Sequence, residues 1–205
     1  MIKEKFGARL DEVVRRLFPF LFWRPLNPNV LSVLGALVSV GAASAFLSGH
    51  LRTGGWLMIA SGFFDLVDGA VARWNGTTST FGAFLDSTLD RLVDMAVLAG
   101  IALYYAGHGQ PGVALVAGVA LVASVLVSYA KARAEVVMPR LDAGFFERGE
   151  RMGILSLGAV TGYLPVALAV VAVGATATAL QRIAIAYREM QKIDAAARVS
   201  SEPMP

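Results

Sequence analysis

No Asp, Glu, Lys or Arg interrupts the chain between Arg24 and Arg52, and none interrupts it between Arg151 and Arg182. A charge-free apolar stretch of that kind is long enough to cross a hydrocarbon layer as a helix of about 20 residues. The rest of the chain offers little charge to keep such stretches in water. Of the 205 residues 56% are hydrophobic and only 16% charged, against roughly a quarter charged in a soluble domain. The expected fold class is therefore an all-α integral membrane protein.

The turn signals divide the chain into six expected transmembrane helices. The first starts near Val30, after Asn27-Pro28-Asn29, and ends before Gly49. The second runs from about Trp56 to Trp74 and is interrupted by Asp65, Asp68 and Arg73. The third begins near Gly82 and carries Asp86, Asp90, Arg91 and Asp94 before turning apolar until Tyr105. After the Gly107–Gly112 turn cluster, a fourth spans about Val113 to Ala134. Gly162-Tyr163-Leu164-Pro165 breaks the last apolar run, leaving a fifth and a sixth span that must each extend past the flanking Arg151 or Arg182. Ahead of these, residues 1–26 place Ile2, Phe6, Leu10, Val13, Val14 and Leu17 at helical spacing among Lys and Arg. That pattern predicts an amphipathic juxtamembrane helix at the membrane surface. Residues 27–190 form the transmembrane domain, and the Ser-, Glu- and Pro-ended tail, 191–205, is expected to be disordered.

With six spans, all of the 18 Lys and Arg except Arg52 fall on or near one side. The positive-inside rule places that side, with both termini, in the cytoplasm, and the chain in the inner (cytoplasmic) membrane. The absence of cysteine excludes disulfides, thiolate metal sites and a cysteine nucleophile. A net charge of +3 is too small to suggest a nucleic-acid partner.

The residues that stand out are acidic. Asp65 is expected roughly 13 Å inside its helix end, at about 1.5 Å per residue. A carboxylate at that depth costs at least about 2.5 kcal/mol unless it meets water, a cation or a partner. Asp65 and Asp68 are three apart and Asp86 and Asp90 four apart, so each pair shares a helix face. Joined by a short turn, the two helices are expected to lie as antiparallel neighbours and bring the four carboxylates into one pocket. Arg73 and Arg91 are candidates to balance two of them. Divalent cations with oxygen-only ligands, Mg2+ or Mn2+, would balance them better, and a pair of such ions suits phosphoryl transfer. On charges alone, a packing network of Asp–Arg pairs and a cation-coupled transporter remain alternatives.

The spacing is more specific. Asp65-x-x-Asp68-Gly69-x-x-Ala72-Arg73, then eight residues, then Gly82-x-x-x-Asp86-x-x-x-Asp90 resembles the signature of the CDP-alcohol phosphotransferase family at every defining position. The resemblance covers about residues 25–190. It implies two metal ions held by Asp65, Asp68, Asp86 and Asp90, with Asp90 also the general base. It implies that Gly69, Ala72, Arg73 and Gly82 hold the cytidine diphosphate, joined by Asn29 from the segment before the first helix. Without a Cβ, the two glycines let a nucleotide lie against the helix backbone. Family members are generally homodimers, and one is expected here.

The acceptor must be read from the second half. Ser128 and Lys131 share a helical face, and Arg148, Arg151 and Arg182 lie near cytoplasmic helix ends. Such a basic ring suits an acceptor bearing its own phosphate. These segments are similar to bacterial phosphatidylinositol-phosphate synthases, which implies a CDP-diacylglycerol donor, an inositol phosphate acceptor and CMP as product, with Arg182 or Arg188 completing the phosphate site. Glycerol 3-phosphate as acceptor, or an archaeol lipid as donor, are the alternatives within the family.

Overall fold

The computed structural model describes residues 16, 27–76, 79–138, 141 and 143–201. The expected surface helix over 1–26 falls outside the described residues, Arg16 excepted. Among the described residues there are six helices: α1 Pro28–Leu47, α2 Leu51–Asn75, α3 Thr80–Gly107, α4 Pro111–Ala134, α5 Arg148–Thr161 and α6 Leu164–Ser201. Four of them, α1, α2, α4 and α6, are long and apolar enough to cross a membrane.

Local chemistry sets their ends. Asn27 caps α1 by accepting a hydrogen bond from the Asn29 N–H at 3.0 Å, with Pro28 pre-set for the first turn. Ser79 caps α3 in the same way through Gly82 N–H. Gly76 at φ 62° ends α2 and Gly162 at φ 86° ends α5, left-handed positions that a side chain would strain. Pro165 sits in the first turn of α6, where its missing N–H costs nothing, so the expected break separates two helices. At the other end α6 continues to Ser201, past Lys192, where composition predicts loss of order. Ala195, Ala196 and Ala197 are strong helix formers, and they carry the helix on.

The helices pack as a closed ring, in the order α1, α2, α5, α6, α4, α3 and back to α1. One expectation needs correcting here. The short turn was expected to make α2 and α3 packed neighbours, yet each packs chiefly on α1 instead. The space between them is lined by carboxylates together with Leu89 and Val93. The main apolar core lies at the other end of the molecule, where Phe46, Leu98, Ile101, Leu155, Leu168 and Val171 meet.

In lipid, helices gain little from burying apolar surface and depend on close packing of small residues. At the α1–α3 crossing a Cβ on Gly100 would stand 2.7 Å from the Ala43 carbonyl oxygen, a backbone atom that cannot turn aside. Gly100→Ala is therefore expected to destabilise the protein by about 1–3 kcal/mol, seen as a lower melting temperature in detergent. Gly118→Ala, where nothing lies within 4 Å, should not lower it.

Candidate active site

The gap between α2 and α3 is lined with carboxylates, and α1 and α5 close its other sides. Asp65 and Asp90 face it together with Asp86, with Ser32 and Ser39 contributed by α1 and Arg148 by α5. Asp68 is 6% exposed and accepts a 2.5 Å hydrogen bond from Ser32 Oγ. Deeper along α1 and α2, Ser39 and Ser61 hydroxyls bond each other at 2.6 Å, and Ser61 donates to the Gly35 carbonyl.

The cluster also takes a cation from outside the motif, Arg148 of α5. Arg91 is turned back onto the Ser87 carbonyl of its own helix, and the Arg73 guanidinium lies over Gly69, where Nη1 is 3.1 Å from the place of a Cβ. Arg148, the first residue of α5, reaches three of the carboxylates. Its Nη1 is 2.5 Å from Asp65 Oδ2 and 3.0 Å from Asp90 Oδ1, and its Nε donates to Asp94 Oδ1 at 3.0 Å. Arg151 Nη2 adds a 3.7 Å contact to Asp94 Oδ2. Only the ring closure by α5 brings these arginines here, since they lie far along the chain from the aspartates.

The remaining expected residues divide into two groups. Asn29, Gly69, Ala72, Arg73 and Gly82 do converge, lining a cleft of about 170 Å³ that also reaches Ser32, Asp68 and Asp86. The Asn29 side chain fills the space over Gly82, where an added Cβ would be 2.9 Å from Asn29 Oδ1. The residues of the basic ring each have a partner within the protein. Lys131 pairs loosely with Glu135 at 3.9 Å, and Ser128 lies one turn before it on α4. Arg151 is 1% exposed and donates to the Phe146 carbonyl. Arg182, expected in the ring, is 4% exposed and bonds the backbone carbonyls of Ala143 at 2.8 Å and Val127 at 2.6 Å. It braces the loop before α5 at Ala143 and ties it to α4 at Val127.

On the other side of the carboxylates an apolar groove of about 720 Å³ opens between α2 and α5. Asp65, Asp94 and Arg148 stand in its wall, and Ile59, Leu66, Met152 and Leu157 line the rest. The carboxylates thus sit where a small polar cleft meets a long apolar one.

A family model for CDP-alcohol phosphatidyltransferase matches residues 26–190. The chain belongs to this family. The transferase is 37% identical to a phosphatidylinositol phosphate synthase of Streptomyces avermitilis, over 96% of this chain and 86% of that one. It is 39% identical to an archaetidylinositol phosphate synthase of Methanothermobacter thermautotrophicus, over 80% and 82% respectively. Among solved structures it resembles the Mycobacterium tuberculosis phosphatidylinositol phosphate synthase with CDP-DAG bound, at a TM-score of 0.73, 32% identity, and coverage of 89% of this chain and 94% of that one. The same mycobacterial synthase in complex with manganese and citrate gives a TM-score of 0.74 at 33% identity, covering 88% of each chain.

The donors present fit a divalent cation. Asp65, Asp68, Asp86, Asp90 and Asp94 offer carboxylate oxygens, the donors that hard divalent cations take. As they stand, no three His, Asp or Glu side chains among the described residues are drawn together tightly enough to cage an ion.

Sequence reasoning overlooked Ser32. Its one signal is that it lies three residues after Asn29, on the same face of α1.

Proposed function

We propose that the enzyme transfers the phosphatidyl group of CDP-diacylglycerol to inositol phosphate, with CMP as the other product. The observation that carries this is the position of the carboxylates, between the polar cleft of Asn29, Gly69 and Gly82 and the apolar groove of α2 and α5. A substrate with a nucleotide at one end and acyl chains at the other matches that pair of cavities. The bacterial and archaeal relatives differ in the lipid part of their names and share the inositol phosphate part, which supports the acceptor.

Asp65, Asp68, Asp86 and Asp90 are the residues proposed to hold divalent metal, two ions of Mg2+ or Mn2+, as manganese in the mycobacterial relative suggests. When bound, such ions supply charge neutralisation for a phosphate under attack. The chain's own residues do the rest. Gly69, Ala72, Arg73, Gly82 and Asn29 seat the cytidine diphosphate. Ser128, Lys131, Arg151 and Arg148 meet the acceptor's phosphate, while Arg182 acts through the loop it braces. Asp90 accepts the proton of one inositol hydroxyl as that oxygen bonds to the phosphorus bearing diacylglycerol. The bond from that phosphorus to CMP breaks, and CMP departs with the electron pair.

The fold is proposed to cross the membrane six times over residues 27–190, preceded by a surface helix over 1–26, with the site and both termini facing the cytoplasm. α3 carries its charges into the site rather than to lipid, and α5, at 14 residues, lies against α2 and α6. The working unit is proposed to be a homodimer.

The acceptor is tested by giving purified protein CDP-diacylglycerol and Mn2+ with either inositol phosphate or glycerol 3-phosphate and following CMP. Release is expected with the inositol ester. Release with glycerol 3-phosphate alone would assign the enzyme to phosphatidylglycerophosphate synthesis.

A further inference from the structure

The place of Arg148 has a consequence for how the site takes up metal. One nitrogen, Nη1, lies 2.5 Å from Asp65 on α2 and 3.0 Å from Asp90 on α3, while Nε holds Asp94 at 3.0 Å. The guanidinium therefore stands between two of the carboxylates proposed to ligate metal. The other oxygen of Asp65 is turned toward Gly35 of α1, where a Cβ would come within 3.4 Å of it. An oxygen bonded to Mg2+ lies about 2.1 Å from the ion in near-octahedral geometry. Two carboxylates gripping one guanidinium nitrogen cannot also close around an ion at that distance.

We infer that Arg148 is a built-in counter-ion that occupies the cation position between Asp65 and Asp90 until a divalent metal displaces it. This rests on the proposed metal role of those aspartates. Once displaced, the guanidinium is free to meet the acceptor's phosphate, the role proposed for it above, and the space around its helix end is open. Arg148 stands in the wall of the 720 Å³ groove, and its neighbours Gly149 and Gly153 have nothing within 4 Å of their Cβ positions. Being the first residue of α5, it can swing without unwinding a turn. Its present partners also explain why five acidic groups can be tolerated together: an uncompensated set would repel strongly in low dielectric.

Displacement makes metal and guanidinium competitors, and competition of this kind has a sign that a merely structural role lacks. An arginine that only held the helices together would, once removed, loosen the site and weaken metal binding. A competitor, once removed, tightens it. The test is Mn2+ titration of detergent-purified protein without substrate, reading free Mn2+ by electron paramagnetic resonance, for wild type, Arg148→Gln and Arg148→Lys. Arg148→Gln is expected to bind Mn2+ about 5- to 150-fold more tightly, the usual span of a coupling free energy between two bound groups. It should also melt lower without metal and gain more from it. Arg148→Lys keeps the charge but cannot span three carboxylates, so it too should bind more tightly than wild type, by less. Equal or weaker binding in Arg148→Gln would overturn the inference. So would wild-type affinity in Arg148→Lys, which would leave a simple effect of nearby charge. Wild-type protein that takes up no Mn2+ would overturn the metal assignment along with it. If the glutamine variant does not fold, the lysine variant decides alone.

Discussion

Asp90→Asn is expected to lower CMP release by about 10²- to 10⁴-fold, the range that a positioned general base contributes, while CDP-lipid binding changes little. The substitution is suited to the question because asparagine keeps an Oδ1 that can accept from Arg148 Nη1, now 3.0 Å from the carboxylate. Helix α3 should therefore hold its place against α5. What is lost is the negative charge and the ability to take a proton from the acceptor hydroxyl. Single-turnover CMP release measures the chemistry, and the melting shift produced by CDP-diacylglycerol measures binding. Unchanged turnover would remove Asp90 from the role of base. Loss of donor binding together with turnover would move its main contribution to holding metal.

Asp68→Ala should raise the Mn2+ dissociation constant by more than about 100-fold, and Ser32→Ala by roughly 10- to 100-fold. The smaller range is typical of residues that only orient a metal ligand, and a ligand itself is worth more. Ser32 merits inclusion because its hydroxyl lies 2.5 Å from Asp68 Oδ2 and comes from a different helix. It helps to fix which way the carboxylate faces, since Asp68 is nearly buried. Mn2+ titration of the two variants checks the order of the effects. A Ser32→Ala protein with wild-type affinity would reduce that hydrogen bond to packing.

Much of the site was legible because it is local. Asp65 and Asp68 must share a face of any helix they form, and so must Asp86 and Asp90, whatever the rest of the chain does. The glycines and Arg73 follow from the same short segment, and all of them line the cleft that Asn29 completes. The boundaries were similarly readable at Asn27 and Pro165, where capping and ring chemistry act within a turn. The acceptor residues were harder. Arg148 and Arg151 open α5 and Arg182 lies within α6, yet composition treats the three alike. Only the fold turns one toward carboxylates, one toward Asp94 and Phe146, and one toward the backbone of Ala143 and Val127.

The sequence by itself determined that this chain belongs in a membrane as helices and that four aspartates would face one another from two of them. Charge-free length and residue spacing along one helix are properties of a few consecutive turns. The tertiary structure alone decided that α1 packs against both α2 and α3, that Ser32 reaches Asp68, and that Arg148 stands among the carboxylates. Those pairings join residues 36 and 83 positions apart. They exist only because the ring closes with α5 beside α2, and no periodicity within either helix encodes that closure.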